Sequence, residues 1–337
     1  QVEHWAMDLY FESAGMIPDE GPADVGKAGR YSLLEPLPEG GMGRVYLAWD
    51  AEVGRRVAYK VRKDGLPPRL ERQFDREVAL TDRVRQPGVV PIYGRVEDDS
   101  GRPAYVMEYV EGRTLGEVLD GLDATAQFDD LLHHVLDACR IVAHAHQIGI
   151  VHLDLSLKNL LIGSDGRTRV LDWGLARDLS VVNAEEPESV SASPPWRPGT
   201  PAFQGPSGFQ GLPPSPASDV HNLGVILARV VEANGGSARV RGRALRASIH
   251  RAIAPDFADR DADASALAED LARFLVGEPV SVHRESIGER LSRLARHRPE
   301  VAALSAGLGL FALLGLIVVG SLLAEARAVG RMRHPSI

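Results

Sequence analysis

The chain is poor in the residues that build covalent or metal staples. It has one cysteine, Cys139, in 337 residues. An intramolecular disulfide is therefore impossible, a Cys-rich zinc site cannot be assembled, and nothing argues for an oxidising compartment. Basic charge is also in short supply: 38 Lys and Arg against 46 Asp and Glu give a formal charge of −8. Phosphate backbones call for a net basic surface, so nucleic acid is excluded as the expected partner. The 34 glycines follow no G-X-Y period, which excludes collagen. No basic start followed by an apolar run lies near Gln1, so there is no signal-peptide pattern. A chain opening on Gln reads as a fragment or a processed N-terminus.

What is present is ordinary for a globular protein: 44% hydrophobic and 25% charged residues. At about 150 residues per domain the length fits two domains, or one large domain of two lobes. Residues 1–30 carry six acidic and two basic side chains and read as an extension, with a short helix near Trp5–Phe11. From Tyr31 to about Arg113 short β-rich runs dominate: Ser32–Leu37, Val45–Trp49, Arg56–Val61, Val89–Val96 and Ala104–Tyr109, interrupted by a helix around Leu70–Arg85. From Leu115 to Val276 the pattern turns helical, most clearly at Leu131–Gln147 and Val220–Ala233. A small β-rich part before a larger helical part is an α+β, two-lobed signature. Residues 180–216 are rich in Ser, Pro and Gly, and a loop of that length is functional or disordered.

Long apolar runs are absent but for one. Residues 301–324 hold 24 uncharged residues, 13 of them Leu, Ile, Val or Phe. As a helix this stretch would measure about 36 Å, enough to cross a hydrocarbon core of about 30 Å. Five arginines precede it (Arg284, Arg290, Arg293, Arg296, Arg298) and three follow (Arg327, Arg331, Arg333), which places the N-terminal side in the cytoplasm. Ile287, Leu291 and Leu294 among those arginines suggest a basic helix near anionic lipid. Ala303/Gly307 and Ser305/Gly309 are small-xxx-small pairs that offer a route to a homodimer. The expected organisation is an extension (1–30), a globular domain (31–277), a basic juxtamembrane segment (278–300), a single membrane span (301–324) and a short tail (325–337).

The chemistry-bearing residues fall in a fixed order. Gly40, Gly41, Met42 and Gly43 lie between two strand-like runs, where glycine lets backbone N–H groups approach phosphate oxygens. Lys60 follows on an apolar strand 17 residues beyond Gly43. A lysine there needs an anion to offset its desolvation, and Glu77 on the following helix could be that partner. Then come Asp154 and Asn159 in VHLDLSLKN, and Asp172 in LDWG. Glycine loop, strand lysine, helix glutamate, D-x4-N and D-x-G in this order make up the protein-kinase signature set.

On these motifs, and on GGMGRVYLAWD, VMEYVEGRTL, DVHNLGVIL and ALAEDLARFLVGEPV, the sequence resembles the bacterial, eukaryotic-like (Hanks-type) receptor serine/threonine protein kinases from about Tyr31 to Val280. The resemblance implies the two-lobed protein-kinase fold, ATP and Mg²⁺ as cofactors, and protein substrates. It implies that Lys60 holds the α/β-phosphates and pairs with Glu77, that Asp172 and Asn159 bind Mg²⁺, and that Asp154 accepts the proton of the substrate hydroxyl. Leu37, Val45, Ala58 and Leu161 would line the adenine pocket, with Met107 at its back and the backbone of Glu108 and Val110 on the base edge. Asp219 would brace the catalytic loop. Thr200 would contact Asp154, favouring Ser/Thr over Tyr. The competing reading is a membrane-anchored pseudokinase scaffold.

Four departures from the family pattern bear on that choice. Pro38 stands for the first glycine and stiffens the loop. Leu153 replaces the arginine before the catalytic aspartate, so switching through a phosphorylated activation loop is expected to be weak or absent. Ser156 stands where a lysine steadies the γ-phosphate, and Lys158 is expected to substitute from two residues on. Ser207 stands for a glutamate that pairs with a buried arginine, here Arg260. Losing one partner of such a pair costs about 3–5 kcal/mol, so Arg260 is expected to be solvated or covered by Asp256 or Asp259. The histidines His133, His134, His144 and His146 read as surface and core residues, and His152 as structural.

Overall fold

The structure, a computed structural model, describes residues 26–38, 41–121, 128–182, 214–234 and 242–283, with 288, 290, 311 and 314–324. It divides into two units, residues 1–282 and 283–337.

The first unit begins with a six-stranded antiparallel sheet. Its strands are β1 (Gly26–Ala28), β2 (Tyr31–Leu37), β3 (Gly43–Asp50), β4 (Arg55–Arg62), β5 (Ile92–Glu97) and β6 (Pro103–Glu108), in spatial order β1-β2-β3-β4-β6-β5. The period-2 alternation of strands divides their side chains between two faces. Val57, Tyr59 and Val61 of β4 join Ala48, Ala104 and Val106 in one apolar cluster. Lys60 alternates with them and pairs in register with Tyr105, as Ala58 does with Met107. Helix α1 (Pro68–Arg83) covers this second face, where Phe74 and Val78 pack with Tyr105 and Met42. Two boundaries shift from the sequence reading. Gly26–Ala28 pairs with β2, so the sheet begins inside the stretch read as extension. The strand expected from Val89 begins only at Ile92, because Pro91 brings no N–H to a ladder. Val89 instead bridges Val170 in the helical lobe.

Strand β7 (Gly112–Thr114) leads into α2 (Leu115–Asp120), whose first turn is closed by a reciprocal Thr114–Glu117 capping box. Helix α3 (Phe128–Gln147) buries ten residues between Leu131 and Ala145. After it come β8 (Ile150–Val151), β9 (Leu160–Gly163), β10 (Thr168–Val170), β11 (Arg177–Asp178), the short helix α4 (Leu179–Val182), α5 (Pro216–Ala233), α6 (Gly242–Ala252) and α7 (Ala264–Leu275). Helix α3 packs against both α5 and α7, and their apolar faces merge into one core that includes Leu136, Val142, Leu223, Leu227, Leu267 and Leu271. This small β-rich lobe on a larger helical one is the expected α+β arrangement.

Of the second unit, residues 314–324 are helical, with Leu316, Ile317, Leu322 and Leu323 exposed. Among the described residues no helix is long and apolar enough to cross a membrane. The expected span is only partly covered, since 301–310, 312 and 313 lie outside the described residues. So do the expected helix at Trp5–Phe11, the segment 183–213 with Thr200 and Ser207, the tail, and the apolar juxtamembrane residues.

Cys139 lies fully buried in α3, and burial pushes its thiol up to about 12. Since the thiolate is the reactive form, the native protein should resist N-ethylmaleimide at pH 7.5 and take up one label on unfolding. Labelling of the folded protein at the rate of a free thiol would show that α3 opens readily, contrary to its place in the core.

Candidate active site

The centre of the site is a buried ion pair between the sheet and α1. Lys60 Nζ donates to Glu77 Oε1 at 2.7 Å and to Oε2 at 2.9 Å, with both residues no more than 5% exposed. Tyr105 Oη donates to the same Oε1 at 2.8 Å. Asp172 Oδ1 stands 3.7 Å from Lys60 Nζ, so the ammonium faces two carboxylates. Burial works against the lysine's charge, but Glu77 and Asp172 more than offset it and hold its pKa well above the usual value. Burial likewise raises the Glu77 carboxyl, with Lys60 opposing. Gly43 is the reason the lysine stem fits: a Cβ there would sit 3.1 Å from Lys60 Cγ and Cε and from the Val61 carbonyl.

The catalytic-loop residues hang from one buried carboxylate. Asp219, in the first turn of α5, accepts from the backbone N–H of His152 and of Leu153, each at 2.7 Å, and from His146 Nε2 at 2.9 Å. The Ala264 N–H donates to His146 Nδ1 (3.3 Å), which assigns the proton to Nε2. Burial alone would raise the Asp219 carboxyl, but these hydrogen bonds hold it below the usual carboxylate range. They also hold Leu153 at φ 67°, a left-handed conformation that costs a leucine about 1–2 kcal/mol. His152 is structural here: Nδ1 accepts from the Asp154 N–H, Nε2 donates to the Leu171 carbonyl at 3.0 Å, and the ring packs 4.6 Å from that of Trp173. Asn159 Nδ2 donates to the Asp154 carbonyl at 2.6 Å, which leaves its Oδ1 as the atom able to hold a metal. Lys158 is exposed and Ser156 is buried.

Asp172 is also left-handed, at φ 59°, ahead of a short 3₁₀ turn, Trp173–Leu175. Trp173 is buried and donates its indole N–H to the Val170 carbonyl. Of the expected adenine wall, Ala58 and Leu161 are buried, and Leu37 faces Val45 across β2 and β3. The Glu108 N–H is occupied by the Pro91 carbonyl at 3.0 Å, so only its carbonyl can serve a base edge there. Val110 is half-buried just beyond β6. Gly40 lies outside the described residues. The Met42 side chain belongs to the cluster under α1 with Phe74 and Tyr105, so that residue can offer a cofactor only its backbone. A separate cavity of about 720 Å³ lies between the α1–β5 loop, α3 and the β9–β10 turn, where Arg85, Arg140 and Arg169 are each paired with a nearby aspartate.

Arg260 departs from the first expectation and meets the second only in part. It is buried rather than solvated, and among the described residues no carboxylate is hydrogen-bonded to it, although Asp256 attracts its charge. Its guanidinium donates to the carbonyls of Ala254 (2.5 Å), Ala217 (3.1 Å) and Pro255 (3.1 Å) and lies over the Phe257 ring. Sequence reasoning also missed Tyr105, His146 and Gln73. Tyr105 could have been found from its strand position opposite Lys60. Gln73 stands four residues before Glu77, on the same helix face.

Replacing Lys60 with Met strands Glu77 in the core, which costs about 3–5 kcal/mol. The folded-state pKa of Glu77 is already raised, and a raised carboxylate favours the protonated fold, so stability falls as pH rises above the unfolded value. The Lys60→Met deficit should therefore be largest at pH 8, shrink toward pH 5, and be largely recovered in the Lys60→Met, Glu77→Gln double variant. Denaturant midpoints across that range check this; a pH-independent deficit would contradict it.

Comparison with known proteins agrees with this geometry. The sequence profile of the protein kinase domain matches residues 31–270. The chain is 32% identical over 226 residues to the serine/threonine-protein kinase PknD of Protochlamydia amoebophila, covering 60% of this chain and 23% of that protein. It is 37% identical over 204 residues to the DNA damage-responsive serine/threonine-protein kinase RqkA of Deinococcus radiodurans, covering 60% and 30%. It is 30% identical over 297 residues to PknD of Chlamydia caviae, covering 74% and 32%. The matched regions span only about a quarter to a third of these relatives. With 240 of 337 residues inside the matched domain, and with Lys60, Glu77 and Asp172 assembled at one point, the chain belongs to the protein kinase family, in its bacterial serine/threonine branch.

Proposed function

We propose that the protein is a membrane-anchored serine/threonine protein kinase that transfers the γ-phosphoryl group of ATP to protein hydroxyls in signalling, with Mg²⁺. The observation that carries this reading is the Lys60 ammonium, held 2.7 Å from Glu77 and 3.7 Å from Asp172. A structural ion pair needs one carboxylate, whereas a lysine facing a second, partly exposed one is poised for a phosphate and its counter-ion. The exposed apolar side chains of 314–324 support the anchor, and the five arginines before the span against three after it support a kinase domain on the cytoplasmic side. The small-residue pairs upstream would serve a homodimer.

The donor set suits a hard cation: one carboxylate, Asp172, and one amide oxygen, Asn159 Oδ1. Bound there, Mg²⁺ would neutralise charge on the phosphates. The chain's own residues do the rest. Lys60 holds the α/β-phosphates, oriented by Glu77 and Tyr105. Asp154 receives the substrate hydroxyl proton from a loop whose shape Asp219 fixes. Lys158 steadies the transferred group, since its side chain is exposed while that of Ser156 is buried and uncharged. Catalysis is then mainly positioning and charge neutralisation. The pseudokinase scaffold draws on the four departures together, Pro38, Leu153, Ser156 and Ser207.

Incubation of the detergent-solubilised chain with labelled ATP and Mg²⁺ separates the two. Label should appear on Ser or Thr and fall roughly 10²–10⁴-fold in Asp154→Asn, with a comparable loss in Asp172→Asn. Nucleotide binding with no transfer would instead establish the scaffold. In the same assay Lys158→Ala should cut turnover far more than Ser156→Ala; equal effects would remove Lys158 from the mechanism.

A further inference from the structure

Helix α1 touches the Asp172-Trp173-Gly174 turn through a residue that the mechanism above does not use. Gln73 is 4% exposed, and its Nε2 donates to the Gly174 carbonyl at 2.7 Å, across 101 residues of sequence. Its Oε1 is buried and has no hydrogen-bond partner among the described residues. A buried amide that satisfies only one of its two ends is an unfavourable choice for stability alone, because the orphan oxygen has lost its water for nothing. A methionine would fill the same space without that cost. The remaining end, the bond to Gly174, is therefore where the residue's contribution lies.

Its placement says what that contribution is. Gln73 and Glu77 are one helical turn apart, so one face of α1 holds Lys60 through the second and the Gly174 carbonyl through the first. Gly174 itself is packed tightly: a Cβ there would lie 2.7 Å from Met42 Cε and 3.0 Å from Asp172 Oδ1. Two residues back, Asp172 sits in a left-handed conformation that persists only where its surroundings over-determine it. At the other end of α1, Arg83 pairs with Asp178 on β11, four residues beyond Gly174. The helix is thus tied at both ends to the segment that carries Asp172.

We propose that Gln73 is a positioning residue: by fixing the Gly174 carbonyl to α1 it keeps the Asp172 carboxylate in register with the Lys60–Glu77 pair, and so sets the affinity of the site for metal-bound nucleotide. The proposal rests on the phosphotransfer reading of the same site.

The test uses the full chain in detergent, with Gln73→Met and Gln73→Leu, each of which removes both amide ends and leaves an apolar side chain. ADP affinity is measured calorimetrically with and without Mg²⁺, beside the melting temperature of the nucleotide-free protein. One hydrogen bond of ordinary strength corresponds to roughly three- to tenfold in affinity. In both variants the strengthening of ADP binding by Mg²⁺ should fall by about that factor. Metal-free affinity should stay within about twofold, and the melting temperature within about 3 °C. Either variant suffices if the other does not fold. Unchanged Mg²⁺ strengthening, or an equal loss with and without Mg²⁺, would overturn the proposal and leave Gln73 a packing residue. Absence of Mg²⁺-dependent ADP binding in the unsubstituted protein would be a different failure, that of the phosphotransfer reading itself.

Discussion

Everything in the cleft depends on a charge placed where the sheet should be apolar. Lys60 lies in a strand whose neighbours Val57, Ala58, Tyr59 and Val61 are all buried. Taking an ammonium out of water is costly unless a counter-charge meets it at close range. Docking of α1 delivers the nearer one, Glu77 at 2.7 Å, so the position of the helix is decided by electrostatics as much as by the packing of Phe74 and Val78. Once the helix is there, Tyr105 has an acceptor, Met42 has an apolar seat, and the turn at Gly174 has a partner in Gln73. One desolvated lysine thus recruits the sheet, the helix and the Asp172 turn into a single arrangement.

The helical lobe solves a related problem with the opposite sign. There the buried charge is the Asp219 carboxylate, and it is met by two backbone N–H groups and the His146 ring. Those donors include the two backbone N–H groups of the strained stretch leading to Asp154. A negative group that needs donors and a loop that needs anchoring are satisfied by the same bonds. Two of the three donors are backbone N–H groups, so the loop is held to the carboxylate without a second ionised side chain on the loop itself.

The sequence made much of this legible, because the cleft is built from side chains that are rare in apolar surroundings. A lysine inside V-A-Y-K-V and an aspartate opening the helix D-V-H-N-L are conspicuous in one dimension. Their orienting partners are not. Tyr105 looks like any strand aromatic until the register opposite Lys60 is known, and His146 is one of several histidines on α3. Gln73 is an unremarked polar residue on an amphipathic helix, because its partner is a backbone carbonyl. Carbonyls have no residue type, so no motif announces them. The same blindness explains why Arg260 was assigned a carboxylate. Reasoning from side chains alone offered it Asp256 or Asp259, whereas the loop before it and the start of α5 supply three peptide oxygens. The apolar stretch at 301–324 was plain in composition, and the exposed Leu and Ile of 314–324 carry the same character.

That cage of carbonyls around Arg260 has a consequence for how the large lobe ages in acid. A guanidinium held by a carboxylate loses its grip when the acid takes up a proton, and the joint it braces loosens at that moment. Peptide oxygens do not titrate in the range proteins meet. The hydrogen bonds that Arg260 makes to the start of α5 at Ala217 and to the loop at Ala254 and Pro255 therefore keep their acceptors as protons are added, and acidification removes from this joint only the attraction of Asp256.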